Sequence, residues 1–247
     1  SSILAISLLV GAICSAVVFI ATERRAAWPV FDLTLFRSLP FSASILSIFF
    51  AYLGIFVLWF IFPFYAVNVL QQSSTALGLL MTTLFASALV ASIVAGWLSS
   101  WVKPSSIASA ALAIIAIALA IMSSLGTNEP IYLVGILIGL AGLGLGALHT
   151  SDLTLAINSV PSKRFAVASG AFWTGRSLGL VFSVVIFGAF LSSQETSYMS
   201  KLLARGLTQE AAELTAFVSA FQDALLMGSI LVGIGFVISL MAWRYRL

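Results

Sequence analysis

Charge is what this chain most lacks. Of its 247 residues only 8% are Asp, Glu, Lys or Arg, while 61% are hydrophobic. A water-soluble domain carries roughly 25% charged residues, so this chain cannot cover a surface that faces water. The few basic residues are dispersed and the net charge is only +3. That excludes the basic stripe needed to follow a nucleic-acid backbone. There is one cysteine, Cys14, inside an apolar run. No internal disulfide can form, and such a thiol reads as packing. There is also one histidine, His149. Asp152 lies near it, but no third ligand is evident, so no metal site is expected; we expect no cofactor either. The three lysines Lys103, Lys163 and Lys201 all fall between apolar runs, which excludes a retinal protein.

Long hydrophobic runs fill the space that charge leaves. Seven are long enough to cross about 30 Å of hydrocarbon: roughly 2–22, 41–69, 76–98, 105–125, 130–158, 165–191 and 216–243. None alternates every second residue as a barrel strand would, so the expectation is an all-α polytopic membrane helix bundle of seven spans. The first run is followed by Glu23, Arg24 and Arg25. That is the wrong charge order for a signal peptide, and the run is too long for one. Pro104 and Pro130 stand at starts, where a missing N–H is harmless. Pro63 lies inside the second run and should bend its helix.

Basic residues set the expected orientation. Arg24, Arg25, Arg37, Lys103, Lys163, Arg164, Arg244 and Arg246 collect on one face; the other has Lys201 and Arg205 beside Glu129, Glu195, Glu210 and Glu213. The positive face should be cytoplasmic, with the C-terminus inside and the N-terminus outside. A chain that begins this way, without methionine, is expected to continue upstream into further spans. On the outer face the stretch 192–215 reads as a loop, with Thr208 capping a helix that runs into the last span.

Three ionisable side chains fall at membrane depth: His149, Asp152 and Arg176. Each is costly there and is a functional hypothesis by default. The fifth and sixth runs are consecutive and antiparallel. Asp152 is about 9 Å and Arg176 about 12 Å from the same membrane surface, so the two reach similar depth and are expected to pair. His149 precedes Asp152 by three residues, a spacing that shares a helix face. One reading is a structural lock between helices. The sharper one is a protonatable carboxyl beside an aqueous cavity, since desolvation and a nearby cation act oppositely on a carboxyl's proton affinity. Gly135, Gly139, Gly142 and Gly146 form a smooth strip that suits tight packing or a moving contact. Aromatics crowd the second run and suit an apolar or cationic ligand. Tyr52 and Trp59, seven residues apart with a polar tip each, are the preferred pair.

The segment "PVFDLTLFRSLPFSASILSIFFAYLGIFVLWFIFPFY" resembles the entry to the C-terminal six-helix domain of major facilitator superfamily transporters. The group it is most similar to is the fourteen-span drug:proton antiporters. "GLGLGALHTSDLTLAINSVPSKRFAVASGAFWTGRSLGLVFSVVIFGAF" resembles that family's late hairpin, with Val160, Pro161, Lys163, Arg164, Ala168, Ser169, Gly170, Arg176, Leu178 and Gly179 at its marked positions. The resemblance implies that residues 1–22 are the last helix of an inter-domain pair. It makes 23–40 a cytoplasmic linker and 41–247 the six-helix C-terminal transporter domain, an inverted repeat of three plus three helices. It implies an N-terminal six-helix domain elsewhere in the same protein, and puts the second, third, fifth and sixth spans nearest a central cavity. The sequence departs from the family at "GWLSSWVKP", where Ser100 and Trp101 replace a usual Asp and Arg, so that loop's charge latch is lacking. Asp152 stands where the family has a neutral residue.

The resulting expectation is part of a secondary transporter in the cell membrane, exporting small apolar or amphipathic compounds by proton antiport and alternating access. Its partners would be the bilayer, a small-molecule substrate and protons. Asp152 would carry the proton or pair with substrate, Arg176 would be its electrostatic partner and His149 a modulator. A seven-span receptor or a non-transporting scaffold is the alternative. An intramembrane enzyme is not expected, because Ser169 and His149, the one nucleophile–base pairing considered, lie at different depths.

Overall fold

A computed structural model describes residues 33–127 and 129–243, and positions 11, 14, 15, 17, 18, 21 and 22. The expected first span, most of the 23–40 linker, Arg244 and Arg246 therefore lie outside the described residues. In hydrocarbon no water is at hand to satisfy backbone N–H and C=O groups, so each segment must satisfy its own. The described residues do this as six long helices: α1 (Leu39–Phe60), α2 (Ser74–Leu98), α3 (Pro104–Met122), α4 (Ile131–Asn158), α5 (Phe165–Ala204) and α6 (Gln209–Trp243). All six are long and apolar enough to cross a membrane, and they match the second to seventh expected spans. A 3-10 turn, Leu33–Arg37, leads into α1.

Pro63 interrupts its helix. It has no N–H for the Trp59 carbonyl, and its ring crowds that oxygen. The α-helix ends at Phe60, a short turn Phe62–Phe64 follows, and Tyr65–Val69 widens to π geometry. Hydroxyls on the poorly covered α2 are satisfied by their own helix. Thr82 donates to the Gly78 carbonyl (2.8 Å), Thr83 to Leu79 (2.9 Å) and Ser92 to Leu89 (2.7 Å).

The outer connection differs from expectation. Residues 192–204 are not a loop but continue α5, which reaches 40 residues, or about 60 Å. Nothing in that stretch breaks a helix until Gly206, whose φ of 85° only glycine adopts freely. There the chain makes a Schellman stop: Leu207 N–H bonds to the Leu202 carbonyl (3.3 Å) and Gly206 N–H to Leu203 (3.0 Å). The helix expected after Thr208 does form, as the start of α6.

Two helices organise the bundle. α1 packs on α4, α5 and α6, while α4 packs on α1, α2 and α3. Exchanging α1–α3 with α4–α6 maps the five most extensive packings onto one another: α1–α6 onto α3–α4, α1–α5 onto α2–α4, and α3–α6 onto itself. α2 and α5 lie at the flanks and keep most of their surface uncovered.

Without water between helices, close approach depends on small residues. The glycine strip of α4 faces α2. Gly135 and Gly139 meet Leu80 and Thr83, while at Gly142 and Gly146 a Cβ would collide with the backbone of Leu84 and Ala88. The groove beside this seam, ≈ 490 Å³ in volume, is lined by Thr83, Ser87, Tyr132, Gly135 and Ile136 among others. A second close crossing joins Gly54 of α1 to Gly228 of α6. Gly146→Val should therefore lower thermal stability by about 1–3 kcal/mol, the usual cost of overpacking. Gly170→Ala, where a Cβ meets nothing within 4 Å, should be neutral or mildly stabilising. Equal behaviour of the two variants in a melting assay would contradict the seam.

Candidate functional site

Helix periodicity decides which side chains can meet. Tyr52, Phe56 and Trp59 follow at i, i+4 and i+7 on α1 and share one face. Trp59 touches Tyr52 edge-to-face at 5.8 Å between centroids and Phe56 at 6.3 Å. It also reaches across to Phe85 of α2, at 6.1 Å. From the other flank α5 supplies Trp173 and Arg176, three residues apart. The Arg176 guanidinium carbon lies 4.5 Å from the centre of the Tyr52 ring and 5.3 Å from that of Trp173. α4 supplies His149, which sits 5.1 Å from the Trp173 ring and 5.5 Å from Phe172. A continuous aromatic wall thus runs over four helices, with one guanidinium in its middle.

The wall grades from covered to open. Tyr52 is buried, Trp59, His149 and Arg176 are half-buried, and Trp173 and Phe85 are exposed. Ring faces attract the guanidinium by about 2 kcal/mol or more once water is removed. Among the described residues no carboxylate lies within ion-pair distance of it. Two N–H donors in this group, Arg176 Nε and Trp59 Nε1, are buried without an acceptor.

Asp152 is elsewhere. Its side chain has no exposed surface, and it points from α4 into α1. The Ser47 hydroxyl donates to its Oδ2 at 2.6 Å, and the Ser44 hydroxyl donates to its backbone carbonyl at 2.7 Å. Oδ1 has no partner. The expected Asp152–Arg176 pair is therefore not formed. Their contacts separate them along α1 as well as around it: the carboxyl meets Ser47, while the guanidinium lies on Tyr52, five residues or about 7.5 Å further on. Gly175 packs directly on Ile45 and Gly179 on Phe49 and Tyr52, which fixes the face of α5 that meets α1. Arg176 is one residue on, turned about 100° from that line, and it lies along the wall. His149 and Asp152 also part company. Three residues leave them about 60° apart around α4, enough to send His149 to the aromatic wall and Asp152 to the serines.

The glycine strip, Gly135, Gly139, Gly142 and Gly146, is a packing seam on α2, outside both groups. Tyr52 and Trp59 share a face of α1 and touch each other. Sequence reasoning overlooked Trp173 and Phe85 in the wall, although Trp173 stands at i−3 from Arg176. It overlooked Ser44 and Ser47, a polar i, i+3 pair in an apolar helix. It also overlooked a fourth ionisable group within an apolar run, Asp223 of α6. That carboxylate accepts from Gln194 Nε2 (2.9 Å) and from the Tyr198 hydroxyl (2.8 Å), tying the long outer part of α5 to α6.

Six apolar spans, with polar groups turned toward other helices, define an integral membrane protein in a lipid bilayer. The sequence profile of the Major Facilitator Superfamily matches residues 2–184, and the chain belongs to that family. It is 27% identical over 211 residues to the multidrug resistance protein Stp of Mycobacterium tuberculosis, covering 84% of this chain and 38% of that one. It is 32% identical over 177 residues to the drug efflux pump JefA of the same organism, covering 71% and 34%. The multidrug transporter protein MdtP of Bacillus subtilis is 25% identical over 84% of this chain and 38% of its own. The chain spans little more than a third of the length of these relatives.

Ser47 is the one donor that the Asp152 carboxyl has. Ser47→Ala should cost about 1–3 kcal/mol, the penalty of orphaning a buried polar group, read as a lowered melting temperature of the purified protein. Ser47→Thr, which keeps the hydroxyl, should cost less. A neutral Ser47→Ala would contradict the lock.

Proposed function

We propose that this chain is the C-terminal part of a secondary transporter that exports small apolar or amphipathic compounds across the cell membrane. A second bundle of the same protein would face the aromatic wall, and rocking of the two would expose the wall to each side in turn. The observation that carries this reading is the wall itself. It joins α1, α2, α4 and α5, the helices that the family resemblance puts next to a central cavity. Rings without a fixed hydrogen-bond pattern suit chemically varied apolar ligands. The names of the relatives, which concern drug resistance and efflux, support the same class. We read the chain as a carrier and not an enzyme, with its C-terminus and basic face toward the cytoplasm.

Coupling to protons is assigned to Asp152. It is ionisable, enclosed, and engaged by one hydroxyl and no cation, so it can gain and lose a proton without breaking an ion pair. Its bond to α1 joins the two helices at the centre of the packing, which gives a change of charge a mechanical outlet. Arg176 then belongs to substrate and not to the proton. In the full-length protein reconstituted in proteoliposomes, Asp152→Asn should abolish export driven by a pH gradient. Substrate exchange at equal pH should persist. Undiminished proton-driven export by Asp152→Asn would remove Asp152 from the coupling.

A further inference from the structure

The wall around Arg176 has a one-sided hydrogen-bonding inventory. Arginine offers five N–H donors and no acceptor, and the tryptophan indole offers one donor and no acceptor. Arg176 Nε and Trp59 Nε1 are both buried with nothing to donate to, and both side chains touch Tyr52. The only acceptors in the group are the Tyr52 hydroxyl and one nitrogen of His149. Of the nearby carboxylates, Asp152 of α4 is committed to Ser47 and Asp223 of α6 to Gln194 and Tyr198, while Glu195 of α5 stands nineteen residues, or about 28 Å, along the helix from Arg176. A buried donor without an acceptor is costly, and a guanidinium without a counter-ion more so. A ligand that supplies acceptors removes both penalties.

The same geometry disfavours a cationic ligand. The ring faces that would attract a cation, Tyr52 and Trp173, already carry the Arg176 guanidinium, so an incoming ammonium would meet a fixed like charge in a poorly hydrated place. The guanidinium carbon lies over the Tyr52 and Trp173 rings and the Tyr52 hydroxyl engages one of its N–H groups, which leaves the remaining donors, the unpartnered Nε–H among them, for a carboxylate, the partner its fork geometry fits. The exposed rings of Trp173 and Phe85 extend the surface on either side. We infer that this site takes a planar aromatic compound bearing a carboxylate, its rings against the wall and its carboxylate on Arg176. The inference rests on the transport reading for the site's purpose, but binding tests it separately.

The test uses the full-length protein in phosphatidylcholine nanodiscs and three probes that share one ring system: 9-anthracenecarboxylate, its methyl ester and 9-(aminomethyl)anthracene. Fluorescence anisotropy reads binding. The carboxylate should bind about tenfold or more tighter than the amine, the scale of a charge-assisted hydrogen bond. Arg176→Gln should bring that ratio close to one, while Arg176→Lys should retain part of it. Trp59→Phe, which keeps a ring and removes the N–H, should weaken the carboxylate severalfold. The inference is overturned if the amine binds as well as the carboxylate in the unmodified protein. That is also the result expected if a carboxylate elsewhere in the full-length protein already satisfies Arg176. It is overturned equally if no probe binds, if the ratio survives Arg176→Gln, or if added phosphatidylglycerol displaces the carboxylate, which would assign the anion to lipid. Selective carboxylate binding without proton-driven flux would leave this inference standing and remove the transport reading. Flux without carboxylate preference would do the reverse.

Discussion

An ionisable side chain below the membrane surface must be solvated by the protein, because hydrocarbon offers it nothing. This chain meets that constraint in two separate ways. Asp152 is enclosed and held by a serine hydroxyl from α1. Arg176 is half-open and held between two rings. Keeping them apart leaves each with an unfilled requirement, a carboxyl oxygen on one side and a guanidinium N–H on the other. An ion pair would have satisfied both at once and left neither free to act.

The packing explains why the separation holds. Glycines at three crossings bring backbones together and leave no room for adjustment: Gly142 and Gly146 on α2, Gly54 against Gly228, and Gly175 and Gly179 on α1. Each crossing fixes a helix in rotation as well as in distance. Arg176, one residue after Gly175, is therefore held along the wall, and Asp152 is held at the serines of α1. The helices with the least cover, α2 and α5, are the ones that extend the wall at its two ends.

Span positions, the prolines and the glycine strip were legible in the sequence, because hydrophobic length, a missing N–H and small residues at helical spacing act locally. The level each side chain reaches was not: the Asp152 carboxyl meets Ser47 and the Arg176 guanidinium lies on Tyr52, five residues further along α1. Azimuth was not legible either. It depends on which face of α5 meets α1, and that is set by Gly175 and Gly179 together with Ile45 and Tyr52 on another helix. The outer extension of α5 was missed for a different reason. Residues 192–204 are polar, but polarity marks exposure to water and not the end of a helix, and no breaker occurs before Gly206. Asp223 stands inside an apolar run, but its role depends on Gln194 and Tyr198, in a stretch whose polarity reads as a loop.

The separation of the two ionisable groups is the claim on which the account turns, and a double-mutant cycle addresses it directly. Unfolding free energies would be measured for Asp152→Asn, Arg176→Gln and the double variant of the full-length protein. Side chains without shared partners should give effects that add within about 0.5 kcal/mol. A coupling well above about 1 kcal/mol would mean that carboxylate and guanidinium meet after all, and would return the arginine to the proton site.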